Sequence, residues 1–283
     1  MNAIEIKDLQ KNYNDFSLTI TELNVPTGYI TGFIGPNGSG KTTTIKSILG
    51  MVKPNSGKIE VLNSDISKDT KVKESIAYVG DVSGFLEESK ISNLHKVISN
   101  FYSNWDEDLY KKYINRFKIN ETKAYKDLSK GQKKQFELIM ALCHHPKLLI
   151  MDEPTSSLDP LIRNDFLELM QSHMEIDNMT VFYSTHITAD LDKAADYIVM
   201  IYDGKILIQA EKDSILNNHI IVKSKKDLLD ASIKKEFISV KENSFGFEGL
   251  MNNKDKGYEL FGNEAIYEKC NLEDILMYYT RRA

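Results

Sequence analysis

Apolar and polar positions alternate with a period of two over Met1-Asn2-Ala3-Ile4-Glu5-Ile6-Lys7, the spacing of a half-buried strand. Residues 1 to about 62 continue as short apolar strands divided by turn signals. Tyr29-Ile30-Thr31-Gly32-Phe33-Ile34 is one such strand, and Lys53-Pro54-Asn55-Ser56-Gly57 turns the chain into another at 58–62. A helix is expected over 43–49 and a strand over Ile76-Ala77-Tyr78-Val79-Gly80. From about 83 to 145 the period lengthens. Ile91, Leu94, Ile98 and Phe101 form one apolar stripe, Leu109, Tyr113 and Phe117 another, and a further helix runs from Leu128 to about His144. Leu148-Leu149-Ile150-Met151 is an unbroken apolar run, as expected of a strand buried on both faces. A helix over 161–173, a strand over 180–184 and a strand pair turning at Asp203-Gly204 complete an α/β core. Past Gln209 the chain becomes more polar, with loops expected at Lys225-Lys226 and Asn252-Asn253-Lys254-Asp255-Lys256. The expected organisation is a main unit at 1–215 with a helical subdomain at about 83–145, and a small C-terminal α+β extension at 216–283.

Composition narrows the class. The chain has 283 residues, 41% hydrophobic and 27% charged, as in ordinary globular proteins. Its net charge of −5 gives no general attraction to nucleic acid, so no nucleic-acid partner is expected. The longest apolar runs, such as 197–202, fall far short of the ~20 residues that cross a bilayer. The N-terminal strand lacks a signal-peptide core. A cytosolic protein is expected, with any membrane contact made through a partner. Cys143 and Cys270 lie in unrelated contexts and imply neither a disulfide framework nor a metal motif.

The candidate chemistry begins at Gly35-Pro36-Asn37-Gly38-Ser39-Gly40-Lys41-Thr42, a complete G-x-x-x-x-G-K-[ST] phosphate loop between a strand and the helix opened by Thr43. The glycines let backbone N–H groups turn inward, and the helix N-terminus adds its positive dipole end. Lys41 supplies a point charge for β- and γ-phosphates, and the Thr42 hydroxyl is placed to ligate Mg²⁺. Asp152-Glu153 closes the apolar run, so both carboxylates project from the C-terminal end of a central strand. Asp152 suits Mg²⁺, and Glu153 suits orienting and deprotonating an attacking water. Ser129 followed by Gln132 is an S-x-x-Q capping box, which alone gives both residues a structural role. His144 and His145, near a helix C-terminus, read as structural rather than metal-binding.

Together these segments closely resemble the nucleotide-binding ATPase subunit of ATP-binding-cassette (ABC) transporters, in family order over about residues 1 to 215. In family terms Gly35 to Thr42 is the Walker A loop and Leu148 to Glu153 is Walker B with its catalytic glutamate. Leu128-Ser129-Lys130-Gly131-Gln132 matches the signature L-S-G-G-Q except at Lys130. Ser157-Leu158-Asp159 matches the D-loop, His186 the switch histidine, and Tyr13 the aromatic that stacks on adenine, with Phe16 a weaker candidate. The resemblance implies a P-loop NTPase that hydrolyses ATP with Mg²⁺. Ser129, Gly131 and Gln132 would grip nucleotide bound by a second cassette, either another copy or a paralogue. Asp159 would serve subunit contact as well as capping its helix, and His186 would meet the γ-phosphate. An integral membrane permease at the cytoplasmic face of the cell membrane is the implied second partner.

Asp81 stands where the family has glutamine, and is either a Mg²⁺ ligand or a loop residue. Val82 to Glu88 resembles a subgroup of bacterial drug- and peptide-exporting cassettes. Lys130 either meets the partner's nucleotide or points to solvent. The competing class is a soluble cassette ATPase of cofactor assembly or translation. A GTPase is disfavoured, because Asn253-Lys254-Asp255 has the wrong spacing for an N-K-x-D guanine reader. Asn271 to Leu276 resembles the closing helix of exporter cassettes. The stretch 216–270 is left as dimerising, regulatory or stabilising.

Overall fold

The computed structural model describes residues 1–80, 83–156 and 158–281. It opens on β1 (Asn2–Asn12) and β2 (Ser17–Pro26), paired antiparallel, followed by β3 (Ile30–Ile34), α1 (Lys41–Ile48), β4 (Ser56–Val61) and β5 (Ile76–Val79). The helical stretch consists of α2 (Ile91–Ser99), α3 (Glu107–Arg116) and α4 (Lys130–Leu142). Next come β6 (Leu148–Asp152), α5 (Pro160–Asp177), β7 (Thr180–Thr185), α6 (Thr188–Ala194), β8 (Tyr197–Tyr202) and β9 (Lys205–Glu211). The remainder is α7 (Lys212–Asn218), β10 (Ile220–Ser224), β11 (Ser239–Glu242), β12 (Phe247–Met251), α8 (Lys254–Phe261), β13 (Ala265–Glu268) and α9 (Leu272–Thr280).

Three sheets form among the described residues. β2-β1-β4 is antiparallel, and β5-β6-β7-β3-β8-β9 is parallel apart from the antiparallel β8–β9 pair, which turns at Asp203-Gly204. The third sheet, β11-β12-β10-β13, lies C-terminal. The apolar run of β6 splits between the two faces of the central sheet. Leu148 and Ile150 join Phe33 and Phe182 in the core shared with the first sheet, while Leu149 and Met151 face the helices. The central strands are covered on both sides, and for this reason their sequences do not alternate.

Two expectations are corrected here. Asn252 to Lys256 is not a loop throughout: the Asn253 side chain accepts from Lys256 N at 3.1 Å and starts α8. Phe101 does not extend the apolar stripe, because α2 ends at Ser99 and leaves Phe101 75% exposed. The C-terminal sheet has a small core of its own around Val222, Phe247 and Phe261. Ile221, Leu250, Leu272, Ile275 and Tyr278 nevertheless belong to the same continuous core as Leu149 and Met151.

Candidate nucleotide site

The phosphate loop, Asp152-Glu153 and His186 follow three strands of the central sheet, β3, β6 and β7, and meet at its C-terminal edge, where α/β sheets build their sites. A recess of about 610 Å³ opens there, lined by Asp15, Phe16, Asn37, Gly38, Gly40, Lys41, Thr42, Thr43 and Glu153. Gly38 and Gly40 adopt φ of +80° and +110°, which favour glycine, and no side chain caps α1 beyond Gly40. The first N–H groups of α1 are therefore left for an anion.

Lys41 is buried and donates to the Gly35 carbonyl at 2.7 Å, so its ammonium is held inside the loop. It also lies 3.2 Å from Glu153 Oε1. The other carboxylate oxygen, Oε2, is 2.7 Å from His186 Nδ1 and accepts from the His186 backbone N–H at 3.3 Å. Asp152 is buried at the end of β6 and accepts from Ser184 Oγ at 2.6 Å. Glu153 N donates to Ser184 O at 3.0 Å, which extends the β6–β7 ladder by one residue. Glu153 itself sits at φ +51°, left-handed backbone that costs a non-glycine residue on the order of 1 kcal/mol.

The residues present fit a nucleotide with its cation. The buried Lys41 ammonium and the uncapped start of α1 suit phosphate oxygens, while the Thr42 hydroxyl and the Asp152 carboxylate are oxygen donors of the kind Mg²⁺ takes alongside substrate phosphates. Asp81 lies outside the described residues.

The other expected site residues lie elsewhere. Ser129 caps α4, accepting from Gln132 N at 3.2 Å while Gln132 Oε1 accepts from Ser129 N at 3.3 Å. Gly131 is buried, and a Cβ there would stand 2.4 Å from Ile162 Cδ1 of α5. Asp159 caps α5, accepting from the N–H groups of Leu161 and Ile162 at 3.1 Å, and Pro160 occupies the first turn. None of these four residues lines the recess. Lys130 is exposed. Phe16 lines the recess and Tyr13 does not; the two rings are 6.5 Å apart and Tyr13 is 47% exposed. His144 and His145 make protein contacts. His144 stacks on Tyr102 with centroids 3.9 Å apart, and His145 lies within 3.3 Å of Asp106 and 3.0 Å of Asp177. The sequence reading missed Asp15, Ser184 and the Lys41–Glu153 pair. Only the position of Ser184 opposite Asp152 could have been inferred from the strand order.

Comparison with known proteins agrees with this geometry. Residues 18–156 match the family model described as ABC transporter. The chain is 33% identical over 224 residues to the bacitracin transport ATP-binding protein of Bacillus licheniformis, covering 75% of this chain and 71% of that protein. A lantibiotic transport ATP-binding protein of Streptococcus pyogenes is 28% identical over 79% of this chain and its own full length. A solved ATP-binding subunit of an ABC transporter superposes with a TM-score of 0.69 at 26% identity, covering 76% of this chain and 92% of that one. These relatives serve transport, which weighs against a soluble cassette. No helix among the described residues is long and apolar enough to cross a membrane. With 33% identity to a transport ATP-binding protein over 75% of its length and 71% of the relative's, this chain belongs to the ABC transporter family, as an ATP-binding, ATP-hydrolysing subunit that powers a membrane transporter.

Proposed function

We propose that Glu153 is the general base of ATP hydrolysis in this chain, with His186 as its partner at the γ-phosphate. The observation that carries the reading is the placement of one carboxylate between Lys41 Nζ at 3.2 Å and His186 Nδ1 at 2.7 Å, at the mouth of the phosphate recess. Asn37, Gly38, Ser39, Gly40 and Thr43 contribute the loop and the helix start, Gly35 the close turn before them, and Lys41 the charge. Entering phosphates compete with Glu153 for Lys41, so substrate binding itself frees the carboxylate to accept a proton from water. Thr42 and Asp152 would hold Mg²⁺, with Asp81 as a third candidate, and the cation would neutralise charge on the β- and γ-phosphates.

A second cassette, a copy or a paralogue, completes each pocket. Ser129, Gly131 and Gln132 of one subunit cover nucleotide held by the other, and Asp159 stands at the junction. The helical subdomain at about 83–145 passes the motion to a permease, for which exposed Leu86, Val97 and Phe101 offer an apolar contact. The subunit then sits at the cytoplasmic face of the membrane. Residues 1–215 form the motor, and 216–283 an accessory region. The two relatives named for bacitracin and lantibiotic transport support a drug- or peptide-exporting role.

Glu153→Gln tests the core of this reading. The variant should bind ATP, accumulate an ATP-dependent dimer and lose hydrolysis by roughly 100-fold or more. Hydrolysis at the parent rate would overturn the base assignment.

A further inference from the structure

We propose that Asp190 is a positioning residue for hydrolysis, its buried carboxylate pinning the loop after Glu153 and so keeping Glu153 in its left-handed conformation. The proposal rests on Glu153 being the general base. Asp190 Oδ2 accepts from Thr155 Oγ1 at 2.8 Å and from Tyr183 OH at 2.9 Å, and those two hydroxyls are 2.7 Å apart. All three side chains are buried, Thr155 and Tyr183 completely. Burial pushes the Tyr183 phenol well above its usual range, so it stays a donor. Two hydroxyl hydrogens serve three contacts, and both are therefore committed inside the cluster.

The positions in the chain give the cluster its meaning. Thr155 is two residues past Glu153. Tyr183 directly precedes Ser184, which receives Glu153 N and bonds Asp152. Asp190 is four residues past His186, on α6. A fourth element joins through Arg163, one turn into the helix capped by Asp159, whose Nη1 is 3.7 Å from Asp190 Oδ1. The cluster thus ties together the elements that carry Asp152, Glu153, His186 and Asp159.

Backbone at φ +51° persists in a glutamate only where its surroundings over-determine it. Upstream, Glu153 N is held by Ser184 O at 3.0 Å; downstream, Thr155 is held by Asp190. Releasing the downstream pin lets Glu153 relax to right-handed backbone and swings its carboxylate off line. Misplacements of this kind slow a reaction without weakening binding of the ground state.

Thr155→Val removes the hydroxyl at nearly constant shape, whereas Thr155→Ser keeps it. On the full chain, Thr155→Val should lower kcat by about tenfold or more, leave KM and ATP affinity within about twofold, and speed amide exchange at residues 152–156. Thr155→Ser should stay close to the parent in all four. Tyr183→Phe is the second variant, should the valine protein fold poorly, and should repeat the valine result. The proposal falls if both hydroxyl deletions keep kcat within twofold, if serine loses as much as valine, or if KM rises in step with the fall in kcat. Glu153→Gln run alongside separates the two ideas. Undiminished hydrolysis there refutes the base itself; loss there with a normal Thr155→Val refutes only the pin.

Discussion

The helix α1 opens on Gly40, left-handed and without a capping side chain, whereas α4 opens on Ser129, whose hydroxyl and Gln132 partner satisfy the helix end reciprocally. The first terminus stands in the recess with its N–H groups unclaimed by any side chain. The second is exposed and self-satisfied through bonds of 3.2 and 3.3 Å. A phosphate arriving at α1 finds donors waiting, but one arriving at α4 from a second subunit has to displace or share a cap worth about 1 kcal/mol. Hydrogen bonds to a charged phosphate contribute roughly 1.5–3 kcal/mol each, so the exchange favours the phosphate. One terminus is built to bind on its own. The other is satisfied within its own chain, and in the proposed dimer it engages only when a partner presents its nucleotide.

Ser129→Asp should break this comparison most severely. Aspartate caps a helix as well as serine does, so the melting temperature should hold. The new carboxylate would confront the partner's phosphates, and hydrolysis and ATP-driven dimerisation should fall by roughly 100-fold. A variant that hydrolyses normally would remove the trans role and leave capping alone.

Acid should loosen the α4 side of the molecule. Burial holds His144, just past the C-terminus of α4, at a pKa of about 4 against an ordinary 6.5. The unfolded chain then binds the extra proton between those values. The stabilisation is fully present above pH 6.5 and is lost as pH falls towards 4, and it amounts to about 3 kcal/mol. His173 and His219, lowered by burial too, act in the same direction. Denaturant unfolding across this window should give a flatter profile for His144→Phe than for the parent; identical slopes would rule His144 out.

Gly131→Ala sharpens the comparison by asking what the signature glycine does at home. Its Cβ would meet Ile162 Cδ1 at 2.4 Å, the far end of a flexible side chain that can swing aside, so the variant should shift stability by no more than about 1 kcal/mol, and Ile162→Val, which removes Cδ1, should cancel the contact's share. Thermal unfolding of the single and double variants reads this directly. The smallest effect belongs to the recess: Phe16→Ala should weaken ATP affinity about fivefold and Tyr13→Ala less, measured by titration with a fluorescent nucleotide.

Much of the recess was legible because it is local. The phosphate loop, its flanking strand and helix, and the carboxylates ending β6 are contiguous stretches whose chemistry and secondary structure point the same way. The capping roles of Ser129 and Asp159 were legible for the same reason. What escaped is long-range. The approach of Ile162 to Gly131, the reach of Lys41 to Glu153 and the cluster of Thr155, Tyr183 and Asp190 each join residues brought close only by the strand order. Phe16 outranks Tyr13 at the recess because the β1–β2 turn places it there, and spacing along one strand carries no such information. Asn253 was hidden among polar neighbours that read equally well as loop. Phe101 kept the helical period after the helix had stopped.

The last helix, α9, carries Leu272 and Ile275, both wholly shielded from solvent and in one continuous core with Leu191 of α6. The tail is thus a keystone wedged behind the segment that follows His186. Cutting the chain after residue 215 would strip a greasy flank bare beside the catalytic edge, and a shortened motor would need those positions rewritten with polar residues before it could stay in solution.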